Sequence, residues 1–160
     1  MMDWLEQLYH LYDAYEKKSE DVHKKAPRYA GILGLGNDPR NHECHEIFYE
    51  DVRQWVQDFL GSEPSREEVV LAVRWILESA SGHRNSSVYG YLYAAQRHVM
   101  EMIPKLSREE SLQLLEWYDA VYPAEDRFPV QQEVCRLLRE KSGMAASPKR
   151  RRLMDIFRRK

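Results

Sequence analysis

Apolar residues recur at three- and four-residue spacing along nearly the whole chain, and Pro or Gly interrupts that spacing at intervals of about twenty residues. This pattern fits helices and little else. No run of alternating β-branched residues appears, and neither Asn-Gly nor Asp-Gly occurs to close a hairpin of strands. The reading is an all-α fold of about six antiparallel helices. They form either a compact bundle or a stack of helical hairpins, followed by a short basic C-terminal helix or tail. Residues 1–143 form the helical domain and 144–160 the tail.

The punctuation places the helices. The first is expected over 3–23, capped by Asp3, with Trp4, Leu8, Leu11, Tyr12 and Tyr15 on its inner stripe. The second covers 42–60 behind an Asn41 cap and buries Cys44, Phe48, Val52, Trp55, Val56 and Phe59. The third covers 66–80, opened by the capping box Ser65-Arg66-Glu67-Glu68, with Val69, Val73, Ile76, Leu77 and Ala80 inward. The fourth covers 87–103, capped by Asn85 or Ser86 and stopped by Pro104. Its face is Val88, Leu92, Ala95, Val99, Met102 and Ile103. The fifth covers 108–122, with Ser107-Arg108-Glu109-Glu110 as its box and Leu112, Leu115, Tyr118 and Tyr122 inward. The sixth covers 129–141, with Pro129 at its first position, Val130, Val134, Leu137 and Leu138 inward, and Gly143 as its stop. Residues 26–41 remain as a long loop whose Ile32, Leu33 and Leu35 are expected to tuck inward.

An echo runs through the second half. The two Ser-Arg-Glu-Glu boxes are identical and 42 residues apart, and at the same offset Trp75 meets Trp117, Val88 meets Val130 and Arg97 meets Arg139. A period near 42 falls in the range of HEAT and armadillo repeats, so helices 3–4 and 5–6 are candidates for two copies of one hairpin.

With 160 residues, the chain is long enough to bury one core without metal or disulfide staples. No apolar run is long enough to span a membrane, and the start, Met1-Met2-Asp3-Trp4, lacks the pattern of a signal peptide. Two widely separated cysteines, Cys44 and Cys135, read as reduced thiols, so the cytoplasm is the expected compartment. Net charge is divided unevenly. Residues 149–160 carry seven Lys/Arg and one Asp, a net of +6, leaving 17 basic against 25 acidic residues, a net of −8, in the rest.

No catalytic motif emerges and no cofactor is expected. Gly31-Ile32-Leu33-Gly34-Leu35-Gly36 has glycines but no preceding strand, no following Lys-Ser/Thr, and an acidic helix start beyond it, so it is not a phosphate loop. The densest reactive cluster is Asn41-His42-Glu43-Cys44-His45-Glu46. There His42, His45 and Glu46 have the chemistry of metal ligands, short of a full set. The polar triplet His83-Arg84-Asn85 reads as a solvated turn. Tyr89, Tyr91 and Tyr93 alternate on one helix and therefore cannot all face one way, which leaves an aromatic residue at a surface.

The tail is the clearest feature outside the core. Lys149, Arg150, Arg151, Arg152, Phe157, Arg158 and Arg159 are the expected partner contacts, with Leu153, Ile156 and Phe157 on one face if the segment is helical. The function expected is a non-enzymatic macromolecular interaction module with a protein partner. The alternatives are a metal-dependent helical enzyme at 42–46 and weak nucleic-acid binding through the tail.

Overall fold

The computed structural model describes residues 3–25, 39–83 and 88–144. The apolar loop trio 32, 33 and 35 and the entire tail from 145 lie outside these residues. Among the described residues there are six α-helices and no strands: α1 (Trp4–Lys25), α2 (Pro39–Gly61), α3 (Arg66–Ser79), α4 (Tyr89–Ala95), α5 (Arg108–Val121) and α6 (Pro129–Ser142). Short 3-10 segments span Ser81–His83, Gln96–Glu101, Ile103–Lys105 and Ala124–Asp126.

Local chemistry accounts for the ends. In both capping boxes the serine hydroxyl accepts from the backbone N–H of the glutamate, and that glutamate's carboxylate accepts from the serine N–H. These bonds hold the Glu68 and Glu110 carboxyls below the usual range. At the other end of α6, Gly143 takes φ +75°, a left-handed cap that an L side chain rarely adopts. The α2 stripe is buried at all six expected positions.

Contacts across the body define how the helices are arranged. Trp4 packs on Trp55 and Phe59 while Tyr15 stacks on Phe48, so α1 and α2 run antiparallel as a hairpin. Tyr9 and Tyr12 meet Trp75 and Glu16 meets His83, so α1 and α3 run side by side in the same direction. Arg66 pairs with Glu110, Arg74 covers Trp117, and the Leu77 carbonyl accepts from Tyr122, so α5 continues the row in that direction. The second arms match: His45 and Tyr49 of α2 face Tyr91 and His98, and Tyr93 stacks on Phe128 just before α6. Three hairpins thus lie side by side, with α1, α3 and α5 in one layer and α2, α4 and α6 in the other. One core of buried residues runs through all three.

Four sequence expectations need correction. α2 starts at Pro39, which places Asn41 inside the first turn rather than at the cap. The fourth helix is not continuous: α4 ends at Ala95, and Gln96–Glu101 and the Pro104 turn are 3-10. Its proposed caps, 85 and 86, fall outside the described residues; Val88 holds the N-cap position and makes no side-chain bond there. On α5 it is Ser111 and Leu114, not Leu112, that join Leu115 and Tyr118 in the core. On α6, Gln131 and Cys135 join Val134 and Leu138 in the core, Leu137 packs against it half-buried, and Val130, expected inward, is half-buried outside it.

The 3-10 segment has a reason. Gln96 is fully buried, and its amide donates to the Leu77 carbonyl at 3.2 Å, while its carbonyl oxygen accepts from the Tyr118 hydroxyl at 3.1 Å. Tyr122 donates to the same Leu77 carbonyl at 2.7 Å. The segment is tied to α3 and α5 by side-chain bonds that a buried amide needs. The middle hairpin's second arm therefore differs in helix type from α6, although the two Ser-Arg-Glu-Glu boxes open neighbouring helices of one layer.

Candidate interaction groove between α1 and α3

The candidate metal ligands do not converge. His42 and Glu46 pair at 3.1 Å on an exposed flank of α2. His45 lies on the opposite, inner side and is 4% exposed. Its Nδ1 is 2.6 Å from the Tyr15 hydroxyl, its ring stacks on Tyr91, and its Nε2 has no hydrogen-bond partner among the described residues. Burial first, then the neighbouring His23 and His42, lowers its pKa to about 4, so the imidazole is neutral at pH 7. Burial also pushes the adjacent Cys44 thiol up. Among the described residues, no group of three or more His, Cys, Asp or Glu is placed to hold a metal ion.

The expected tail contacts at 149–152 and 157–159 lie outside the described residues, as do residues 84 and 85 of the polar triplet. His83 itself bonds Glu16 at 3.2 Å and joins the turn after α3 to α1. The three tyrosines of α4 separate as their spacing requires. Tyr91 turns to His45 in α2, whereas Tyr89 and Tyr93 gather round Phe128.

A second cluster surrounds Cys135. Arg127 is almost wholly buried; it donates to the Tyr122 carbonyl at 2.8 Å, to the Cys135 sulfur at 3.2 Å and to Asp119. Arg139 donates to the same sulfur at 3.4 Å and pairs with Asp119 at 3.3 Å. These bonds clamp the turn before α6 onto α5, and the sulfur is sealed beneath them.

The groove between α1 and α3 is the feature that chemistry can use. It encloses about 230 Å³ and is lined by Tyr9, Tyr12, Asp13, Glu16, Trp75, Ser79 and His83. α1 supplies one wall because Tyr9, Asp13 and Glu16 recur at helical spacing along the flank of its buried stripe. Tyr9 is 57% exposed, and its ring lies edge-on to Trp75 at 6.5 Å. Tyr12 closes the floor, edge-on to Trp75 at 4.7 Å. Burial drives its hydroxyl pKa well above the ordinary value, so it stays protonated facing Ser79. Leu71, 53% exposed, sits one turn before Trp75 and prolongs the apolar flank of α3. Each carboxylate has a partner: exposed Lys17 on Asp13 at 2.7 Å, half-buried His83 on Glu16.

Sequence reasoning found Trp75 only through the repeat offset and did not single out Tyr9, which lies off the inner stripe. The available signal was Tyr9, Asp13 and Glu16 sharing a flank of α1. That Trp75 faces them depends on tertiary packing.

No family model matches this chain, and no curated protein or solved structure matches it.

Proposed function

We propose that this chain is a non-enzymatic interaction module whose helical body binds a protein partner through the α1–α3 groove, with the basic tail as a second contact. The observation that carries the reading is the exposed Tyr9 beside Trp75 in an indentation rimmed by Asp13 and Glu16. Tyr and Trp are the usual anchors of protein interfaces, because they bring large apolar area with one polar end and lose little rotamer freedom. Two free, buried thiols, Cys44 and Cys135, support a reducing compartment, the cytoplasm.

The test is capture from lysate, with and without nuclease treatment, by the full chain and by two full-length variants. One is Tyr9→Ala with Leu71→Ser; the other changes Arg150, Arg151 and Arg152 to Gln. The expected result is one defined protein retained by the wild type, lost at least tenfold in the groove variant and reduced in the tail variant. Equal retention by the groove variant rejects the groove as the surface. Retention abolished by nuclease in every form replaces this reading with nucleic-acid binding through the tail.

A further inference from the structure

The groove joins two elements of cation recognition in one small space. An aromatic face attracts a guanidinium or ammonium group through its quadrupole, and a carboxylate alongside adds an ion pair. Here Tyr9 and Trp75 provide rings, and Asp13 and Glu16 provide carboxylates. The fold uses the same contact elsewhere: Arg74 lies over Trp117 at 5.3 Å, and Arg127 over Tyr118 at 5.6 Å. Of the present partners of the carboxylates, Lys17 is solvent-exposed and His83 is half-buried at the groove's rim. Pairs of that kind exchange readily with a competing cation.

We propose that the α1–α3 groove is a binding site for an arginine or lysine side chain, and that its resident occupant is the chain's own basic segment, 149–160. The inference rests on the groove being the contact surface, as proposed above. The segment has a net charge of +6, and the remainder of the chain −8. Reach is sufficient. A folded chain of this length has a radius of gyration of about 15 Å. Residues 145–160 span up to roughly 50 Å when extended, about three times that radius, which gives Arg158 and Arg159 length enough for the groove. Tethering supplies what a weak contact lacks, since a short linker holds its end at an effective concentration near the millimolar range. A basic partner segment must then displace the tail to bind, and the released tail makes the second contact proposed above, whose loss in the tail variant outweighs the opening of the groove.

The experiment is limited trypsin digestion of the full chain, with cleavage at Arg150–Arg152 and Arg158–Arg159 timed by mass spectrometry. Wild type is compared with Tyr9→Ala/Asp13→Asn/Glu16→Gln, whose fold is checked by circular dichroism. At low salt the tail sites of the wild type are expected to be cut several-fold more slowly than those of the variant. At about 0.5 M salt, where screening shortens to a few ångströms, the difference should vanish. Equal rates at low salt overturn the proposal. Protection that rises with protein concentration overturns the intramolecular assignment and puts the tail of a second copy in the groove. A second readout leaves the groove intact: the Trp75 indole N–H resonance in wild type and in a chain with Arg150, Arg151, Arg152, Arg158 and Arg159 changed to Gln. A shift supports the proposal, and an unmoved resonance rejects it. If partner capture depends on Tyr9 while the tail is unprotected, this inference fails and the interaction reading stands.

Discussion

His45 shows how a residue chosen for its chemistry can be used for packing. Its ring is enclosed by Tyr15, Tyr91 and the neighbouring Cys44, and its protonation is lowered to about pH 4. His98 is treated similarly: its ring packs on Tyr49 at 4.3 Å, and burial lowers its pKa despite Glu101 and Glu50 nearby. In the unfolded chain an imidazole binds a proton near pH 6.5. Between pH 6.5 and about 4 the unfolded state therefore takes up protons that the folded state refuses, and stability falls as pH is lowered. Above pH 6.5 both states are neutral at this site, and it adds no pH dependence. The loss attributable to His45 is at most about 3 kcal/mol. Urea unfolding at pH 7 and pH 4.5 checks it: His45→Gln should flatten the difference between the two pH values by 1 kcal/mol or more, and an unchanged difference rejects the assignment.

At the scale of elements, the capping boxes are the most legible parts of the chain, because each is a local contract between four consecutive residues. Ser65→Ala and Ser107→Ala should each cost about 1 kcal/mol in thermal or urea unfolding. Glu110 does more than Glu68, because it caps α5 and also accepts from Arg66 at the head of α3. Glu110→Ala should therefore destabilise more than Glu68→Ala, a comparison the same unfolding series makes directly. The α2 stripe was equally legible, since six apolar residues at helical spacing admit one inner face. The Gln96–Glu101 segment was not. Leu92, Ala95, Val99 and Met102 have good α spacing, and nothing local says that Gln96 will be drawn inward to Leu77 and Tyr118. The inward turn of Gln131 on α6 was hidden for a similar reason. Its carbonyl oxygen accepts from the Phe128 N–H at the start of that helix, a bond a hydrophobicity pattern does not register. The groove was the least legible part, because it needs α1 and α3, which are far apart in sequence, to lie side by side.

For the whole molecule, α3 is the central element. It lies between α1 and α5 in its own layer and carries the Leu77 carbonyl that receives both Gln96 and Tyr122. Leu77 is fully buried, and Leu77→Ala should cost roughly 2–5 kcal/mol, well beyond a peripheral truncation. Because one core runs through three hairpins, tryptophan fluorescence and far-ultraviolet circular dichroism should report a single transition in that variant as in the wild type. Separate midpoints would show that the first and last hairpins open independently. The two sealed sulfurs lie at opposite ends of this arrangement, Cys44 beneath α1 and Cys135 under the arginine clamp of the third hairpin. Neither can meet a reagent until its own end of the stack parts. The chain thus carries two clocks, one at each end, and the order in which they start records the direction in which the stack comes undone.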